Sequence, residues 1–174
     1  VENAFIAAED RRFYSHQGID FIGIGRAIVM NFRKREFHEG ASTITQQLAR
    51  IVFLNQNKTF TRKLKEAVLA LKIDRKLTKK KILEHYLNNI YLGSNAYGIS
   101  DAAWIYFSKT PAQLNLEESA LIAGLAPAPS YYSPLVNTRL AIKRRNIVLE
   151  RMRNENFISR NAFIKSKNKP LNLQ

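Results

Sequence analysis

Two adjacent carboxylates near the start of the chain, Glu9 and Asp10, are the first residues whose types could do chemistry. Neighbouring residues of a helix point in different directions, so the two need not share a role. One can face a cleft while the other anchors the local fold. An acidic pair at a helix end is also a common electrostatic cap, so these residues alone leave catalysis and capping open.

A third carboxylate, Glu66, stands among cations. Arg62 lies four residues before Glu66 and shares its helix face, and Lys63 and Lys65 flank the pair. Cations packed around one carboxylate stabilise its charged form, which suits the handling of a phosphate or a metal ion. Residues 58–81 hold ten Lys and Arg against two acids. Such a run is often only a solvated helix face, and both interpretations stay open for its far end.

Small hydroxyl residues follow a glycine between these two regions. Gly40 precedes Ser42 and Thr43, and helix-forming residues come next. This pattern predicts a loop that leads into a helix N-terminus, where free N–H groups and the helix dipole favour an anion. The simpler alternative is that Ser42 or Thr43 is an ordinary N-cap.

The elements that position these residues are predicted to be helices, because apolar residues recur at helical spacing and no sustained two-residue alternation is present. Asp20 is expected to cap the first of them, and Asn115 with Glu118 resembles a capping box. The predicted helices cover residues 21–34, 61–77 and 78–93, a segment opened at residue 115 and closed by prolines at 127 and 129, and a segment from residue 138. The sequence therefore predicts an all-α domain.

Two apolar patterns within these helices matter for the site. The helix over residues 61–77 has a stripe of Leu64, Ala67, Val68 and Leu71. The segment from Phe21 to Phe32 is apolar on almost every side, with Arg26 as its only internal charge. It is predicted to be either a buried core helix or a helix that dips into a membrane surface.

Composition limits the function classes. The chain has 174 residues, an apolar fraction of 45% and a net charge of +14, so one domain with a real core and an anionic partner are expected. The absence of cysteine excludes disulfides, thiolate metal sites and thiol nucleophiles. Because Val1 follows no initiator methionine or leader, the chain is expected to be a fragment of a longer protein.

Taken together and in order, these segments resemble the peptidoglycan glycosyltransferase domain, glycosyltransferase family 51, of class A penicillin-binding proteins and monofunctional transglycosylases. The resemblance covers nearly the whole chain. The matching blocks are E-D-R-R-F-Y-S-H-Q-G at residues 9–18, G-A-S-T-I-T-Q-Q-L at 40–48, R-K-L-K-E at 62–66, I-L-E-H-Y-L-N-N-I-Y-L-G at 82–93, and the tail at 116–134 around A-L-I-A-G-L-A-P-A-P.

The resemblance implies a lysozyme-like helical domain over residues 1–174, with a small membrane-facing lobe at about residues 20–40, that polymerises lipid II into glycan strands. By matching position, Glu9 is the implied general base for the 4-hydroxyl of the acceptor N-acetylglucosamine. This oxygen attacks the donor's anomeric carbon with inversion, and undecaprenyl pyrophosphate leaves. Glu66 is the implied second catalytic carboxylate, which helps place the pyrophosphate or its divalent cation, Mg²⁺ or Mn²⁺.

Further roles follow from the same resemblance. The residues implied to line the donor site are Ser42, Thr43, Gln46, Gln47, Arg50, Lys58, Arg62, Lys63 and Lys65. Those implied to be structural are Asp10, Phe13, His16 and Gly18. Arg50 stands where Lys is usual and Lys58 where Arg is usual, and the two side chains bind anions differently, so the contacts at these positions are open.

The implied partners are lipid II, the growing glycan chain, a membrane surface through the segment from Phe21 to Phe32, and moenomycin-type inhibitors, with no nucleic acid. The implied location is the extracytoplasmic, periplasmic face of the bacterial cytoplasmic membrane, with a transmembrane anchor absent from this fragment.

Two alternatives remain. A lysozyme-like hydrolase or lytic transglycosylase is disfavoured by the cations around Glu66, because a glycosidase needs a carboxylic acid to protonate a poor leaving group. A helical nucleic-acid-binding module is motivated only by the charge and gives no reason for the ordered blocks.

Overall fold

The structure is a computed structural model that describes residues 1–34, 42–53 and 60–173, without the side chains of residues 30–34. Within these ranges it contains helices and no strand; Tyr91 and Tyr97 form one isolated antiparallel bridge. The helices are α1 Glu2–Glu9, α2 Phe21–Lys34, α3 Ile44–Phe53, α4 Phe60–Lys76, α5 Lys79–Asn89, α6 Ile99–Phe107, α7 Leu116–Leu125, α8 Pro129–Tyr132, α9 Thr138–Asn154 and α10 Arg160–Lys167. The predicted all-α class is confirmed.

The helix boundaries follow local signals where those are strong. α2 has the predicted bounds, and α4 begins one residue earlier than expected. α7 opens with the predicted capping box, in which the Asn115 side chain accepts from the Glu118 N–H and the Glu118 side chain accepts from the Asn115 N–H. α5 ends at Asn89, four residues before the predicted end at Gly93, because the chain turns there into the loop that forms the Tyr91–Tyr97 bridge.

The described chain divides into two compact units. The first comprises Val1–Arg11 and Leu87–Gln174, and the second comprises Arg12–Tyr86. Glu9 therefore belongs to the first unit, whereas the hydroxyl-rich segment and the basic cluster belong to the second. α5 begins in the second unit and ends in the first.

α7 forms the centre of the first unit. All of its residues after Leu116 are buried, and α1 and α9 pack against it. Arg145 of α9 is buried as well, and its two Nη atoms donate to the carbonyl oxygens of Lys167 and Lys169 at 2.9 Å each. These bonds fasten the end of α10 to α9, because a cation at a helix C-terminus satisfies carbonyls that have no partner within the helix.

The second unit is built on the packing of α3 against α4 and on the first half of α5. The apolar residues predicted for one face of α5 are all buried: Ile82, Leu83, Tyr86, Leu87 and, just beyond the helix, Ile90. In α4, by contrast, Leu64 and Val68 of the predicted apolar stripe are exposed, and the fully buried positions are Glu66 and Ala70. The apolar stripe of α4 thus points away from the core of its unit.

α2 begins at the predicted cap. The Gly23 N–H donates to Asp20 Oδ1 at 2.9 Å, and Arg12 Nε donates to the same oxygen at 3.2 Å. Burial alone would raise the pKa of Asp20, but the Gly23 N–H and the Arg12 guanidinium outweigh it and hold the pKa below its ordinary value. The charged carboxylate is therefore the form that the fold stabilises.

The apolar side chains of α2 lie mostly at the surface. Phe21 is 73% exposed, and Ile22, Ile28 and Val29 are also more than half exposed, whereas Ala27 is buried. The interpretation of this segment as a buried core helix is therefore wrong for its described side chains. Among the helices that the structure describes, none is both long and apolar enough to span a bilayer.

Candidate active site

Glu66 is the centre of a basic cluster on α4. Its side chain is fully buried, Lys63 Nζ donates to Oε1 at 2.5 Å, and Arg62 Nη1 lies 3.5 Å from Oε2. The same Lys63 ammonium donates to Ser42 Oγ, just before α3, at 2.8 Å. One carboxylate thus holds two cations in place beside the start of another helix.

The start of α3 is closed by a reciprocal cap. The Gln46 N–H donates to Thr43 Oγ1 at 3.1 Å, and the Thr43 N–H donates to Gln46 Oε1 at 3.0 Å. This is a capping box, and both side chains are buried. For Thr43 the N-cap interpretation is therefore correct. The Thr43 hydroxyl and the Gln46 side-chain oxygen are therefore both used in the cap of α3.

The remaining predicted donor-site residues differ in their surroundings. Gln47 is buried, and its Oε1 accepts from the Tyr86 hydroxyl of α5 at 3.2 Å. Arg50 is half-buried in the last turn of α3, and Lys65 is exposed on α4. Lys58 lies outside the described residues, as does Gly40.

The end of the first sequence block packs against α4 and the residue that caps α3. Gly18 has a φ of +88°, and a Cβ at this position would lie 2.6 Å from the carbonyl oxygen of Ala70, so only glycine fits. The Gly18 carbonyl accepts from Thr43 Oγ1 at 2.6 Å, and the Gly18 N–H donates to His16 Nδ1 at 3.2 Å. His16 and Phe13 are buried beside it. These residues join the first block to the start of α3 and to the middle of α4.

A second carboxylate of α4 is the centre of a separate contact set. Asp74 Oδ2 accepts from Lys79 Nζ at 2.7 Å and from Thr45 Oγ1 at 3.1 Å, and the Lys79 ammonium lies 4.8 Å from the centroid of the Phe13 ring. This contact set links α3, α4, α5 and the first block. Sequence reasoning missed it, because Thr45 and Asp74 are 29 residues apart and neither stands in a pattern that indicates a pair.

Glu9 is the last residue of α1 in the first unit and is half-buried. The carbonyl of the preceding residue, Ala8, accepts from Arg151 Nη1 of α9 at 2.6 Å, and Arg11 lies 3.6 Å from Glu155. Arg151 therefore fixes the helix end that carries Glu9. Sequence reasoning missed this residue too, because 143 positions separate the partners.

Comparison with known families shows to which family the chain belongs. The sequence profile of the family described as "Transglycosylase" matches residues 1–153. The chain belongs to the transglycosylase family.

Its curated relatives agree with this assignment. The chain is 49% identical over 174 residues to penicillin-binding protein 1A of Aquifex aeolicus (strain VF5), covering all of this chain and 24% of that protein. It is 50% identical over 169 residues to penicillin-binding protein 1A of Escherichia coli (strain K12), covering 97% of this chain and 20% of that protein. The transglycosylase chain thus spans about a fifth to a quarter of the length of these relatives.

A solved structure also resembles the fold. Penicillin-binding protein 1A from Haemophilus influenzae matches with a TM-score of 0.53 and 30% identity, over 75% of this chain and 16% of that chain. The predicted family and the predicted enzyme class, a glycosyltransferase, are confirmed.

The transglycosylase cluster does not by itself fit a bound metal ion. Glu66 pairs with both Lys63 and Arg62, and these cations face both of its oxygens. Across the described ranges no group of three or more His, Cys, Asp or Glu side chains is arranged to hold a metal. A divalent ion beside two protein cations would be repelled unless a further anion were present.

Proposed function

We propose that this transglycosylase domain polymerises lipid II. A carboxylate base removes the proton of the acceptor sugar's 4-hydroxyl, and the freed oxygen attacks the anomeric carbon of the donor's N-acetylmuramyl unit. The bond to the lipid pyrophosphate breaks with inversion, and undecaprenyl pyrophosphate leaves. The observation that carries the proposal is the junction at the start of α3, where Lys63 bonds both Ser42 and the buried Glu66.

This junction suits a departing pyrophosphate. The dipole at the start of a helix attracts anions, and Lys63 and Arg62 add two full charges to one carboxylate charge. Fixed cations stabilise charge that develops on a leaving group without reorganising at the moment of reaction. Pyrophosphate leaves as a stable anion, so the site needs cations more than it needs an acid.

Glu66 has a holding role in this scheme. A carboxylate that is fully buried and ion-paired keeps Lys63 and Arg62 at fixed positions while the ammonium still reaches Ser42. Both carboxylate oxygens of Glu66 face protein cations, so the residue is not placed to donate a proton to a leaving group as the acid of a hydrolase does. The hydrolase alternative therefore gains no support from this part of the site.

Glu9 supplies the base. It stands at the end of a helix in which the carbonyl of the preceding residue, Ala8, accepts from Arg151 of α9, so α9 helps to define its backbone position. A positioned carboxylate can take a proton directly from a sugar hydroxyl within hydrogen-bond reach. The proton passes to a Glu9 carboxyl oxygen as the new glycosidic bond forms.

A divalent cation stays a prediction. Mg²⁺ is commonly bound through one or two carboxylates together with substrate phosphates, and it retains several waters. We therefore propose that an ion, where one is used, is carried by the pyrophosphate of the substrate. No step above depends on it.

We also propose that the second unit contacts the membrane. Besides the exposed residues of α2, the end of α3 exposes Ile51, Val52 and Phe53, and α4 exposes Phe60, Leu64 and Val68 at successive turns. Clusters of exposed apolar side chains mark interaction surfaces. Lys and Arg stand close to these residues in the chain, as they do in helices that lie on a membrane surface. A substrate with its lipid in the bilayer would reach the basic cluster from such a surface. A domain that contacts the membrane in this way would work at the outer face of the bacterial cytoplasmic membrane.

We further expect moenomycin-type inhibitors to bind at the donor site.

Labelled lipid II incubated with the purified chain tests the function. Glycan polymer is expected from the unaltered chain, with loss of product on addition of moenomycin. The Glu9→Gln variant should lose about 10²–10⁴-fold in rate while its thermal unfolding is unchanged. Normal turnover by Glu9→Gln would remove Glu9 from the role of base. Release of fragments from finished peptidoglycan, without polymer, would favour the hydrolase.

A further inference from the structure

The first unit contains a stretch whose composition differs from the rest of the chain. Residues 87–108 carry a single charged side chain, Asp101, although the chain as a whole has a net charge of +14. The polar residues of this stretch are exposed and uncharged: Asn88, Asn89, Ser94, Asn95, Ser100 and Ser108. Two of its aromatic residues are exposed as well.

Both of these aromatic residues border Asp101. Tyr97 is 61% exposed and Trp104 is 66% exposed. The Tyr97 N–H donates to Asp101 Oδ2 at 3.1 Å, and Asp101 and Trp104 are three residues apart on α6, so they are neighbours on its surface. We call Tyr97, Asp101 and Trp104 the aromatic face.

Several contacts fix the loop that carries Tyr97. The ring of Tyr91 packs 5.1 Å from the ring of Tyr97, and the two residues form a backbone bridge. Gly98, with a φ of +87°, donates its N–H to the Ile90 carbonyl at 2.7 Å and leaves no room for a Cβ against Asn88. Tyr97 is therefore exposed because the loop fixes it outward, and a ligand would meet a preorganised surface.

We propose that the aromatic face binds sugar rings of an N-acetylated glycan chain. A pyranose ring presents C–H groups on its faces and hydroxyl and amide groups around its edge. Aromatic rings that have polar neighbours match both, since the rings cover the C–H face and the Asp101 carboxylate accepts from hydroxyls. The choice of an aminosugar chain rests on the proposed function, whose product is such a glycan.

The charge of this face argues against a bilayer as the occupant. Surfaces that bind anionic lipid combine apolar residues with Lys and Arg. The aromatic face has a carboxylate instead, and the exposed polar side chains around it in the chain are uncharged amides and hydroxyls. A neutral polyhydroxylated ligand is the partner that this composition fits.

Trp104 is the only tryptophan of the chain, so its fluorescence reports on this face alone. The chain is titrated with the soluble β-1,4-linked tetramer of N-acetylglucosamine. A saturable change in emission is expected from the unaltered chain and equally from Glu9→Gln, because binding here requires no catalysis. Tyr97→Ala should weaken the affinity by about tenfold.

Tyr14→Ala is the matched control, because Tyr14 is also 61% exposed but belongs to the second unit. It should leave the affinity unchanged. The inference is overturned if the tetramer causes no saturable change, if only anionic vesicles change the emission, or if dilution of the free chain changes it, which would indicate self-association. Sugar binding without polymer synthesis would sink the proposed function alone, and polymer synthesis without sugar binding would sink this inference alone.

Discussion

At the scale of single residues, Glu66 is a carboxylate that is both fully buried and paired with two cations. A buried carboxylate loses its hydration, and pairing with Lys63 and Arg62 offsets that loss without a large gain in stability. The pairing instead fixes a position, because the Lys63 ammonium bonded to Glu66 also bonds Ser42. In the proposed function, Glu66 therefore acts through the two cations that it holds.

Replacing Glu66 by glutamine tests this holding role. Glu66→Gln should lower polymer formation by at least about tenfold, because the two cations lose the charge that positions them. The matched control is Glu84→Gln, which removes an exposed pair with Lys81 at the same three-residue spacing. Rates are measured with labelled lipid II, and circular dichroism checks the fold. An equal loss in both variants would show that the effect is not specific to the cluster.

At the scale of elements, the helix ends determine where the site residues stand. Thr43 with Gln46 sets the start of α3, and Asp20 sets the start of α2. Both helices belong to the second unit, and α3 carries the hydroxyl-rich block. Capping therefore contributes to the site as well as to stability, since a displaced first turn of α3 would move Ser42 relative to Lys63.

The cap of α2 makes a pH-dependent prediction. Asp20→Ala should lower the free energy of unfolding by about 1 kcal/mol, as loss of an N-cap does. Asp20→Asn keeps a cap but loses the charge that Arg12 stabilises. Because the folded pKa of Asp20 is below its ordinary value of 3.8, the advantage of aspartate over asparagine is complete above that value.

Urea unfolding at several pH values measures this difference. The gap between the unaltered chain and Asp20→Asn should close as the pH falls through the folded pKa. A gap that widens on acidification would contradict the stabilised carboxylate.

The exposed stripe of α4 makes a second element-scale prediction. Leu64→Ser should weaken binding to vesicles of anionic phospholipid by about tenfold, because one leucine no longer enters the bilayer surface. Leu135→Ser is the matched control, since Leu135 is 55% exposed but lies in the first unit. Vesicle flotation measures the bound fraction. Equal losses for the two variants would mean that the stripe is not the contact surface.

At the scale of the whole chain, distant segments complete the surroundings of Glu9. Arg151 of α9 reaches the carbonyl of Ala8, 143 residues earlier. Small displacements of a catalytic group are expensive in rate, because the reacting atoms must meet within a narrow range of distance. In the proposed mechanism, Arg151 therefore controls turnover through its bond to the end of α1.

Arg151→Met tests this positioning role. It should lower kcat by about ten- to a hundredfold with little change in KM, because the position of Glu9 loosens while the donor cations stay in place. Arg151→Lys keeps one charged donor and should restore part of kcat. Arg139→Met, at an exposed position of the same helix, is the control. A change confined to KM, or a fall in kcat that only follows thermal unfolding, would contradict the role.

Much of the fold was predictable because its signals are local. The bounds of α2, the capping box of α7 and the buried face of α5 follow from residues within one or two turns of each other. The ordered blocks likewise indicated the family. α1, α6 and α10 were not predicted, and the loop at residues 90–98, which ends α5 early, depends on backbone pairing that spacing does not reveal.

By itself, the sequence determined the helical class, the family and the residue types that the proposed pyrophosphate-releasing transfer needs. Only the tertiary structure decided that Glu66 is buried between Lys63 and Arg62, that Thr43 and Gln46 are occupied by a helix cap, and that the apolar stripe of α4 faces outward. The physical reason is that periodicity specifies which residues share a helix face, whereas burial depends on which other helix packs against that face.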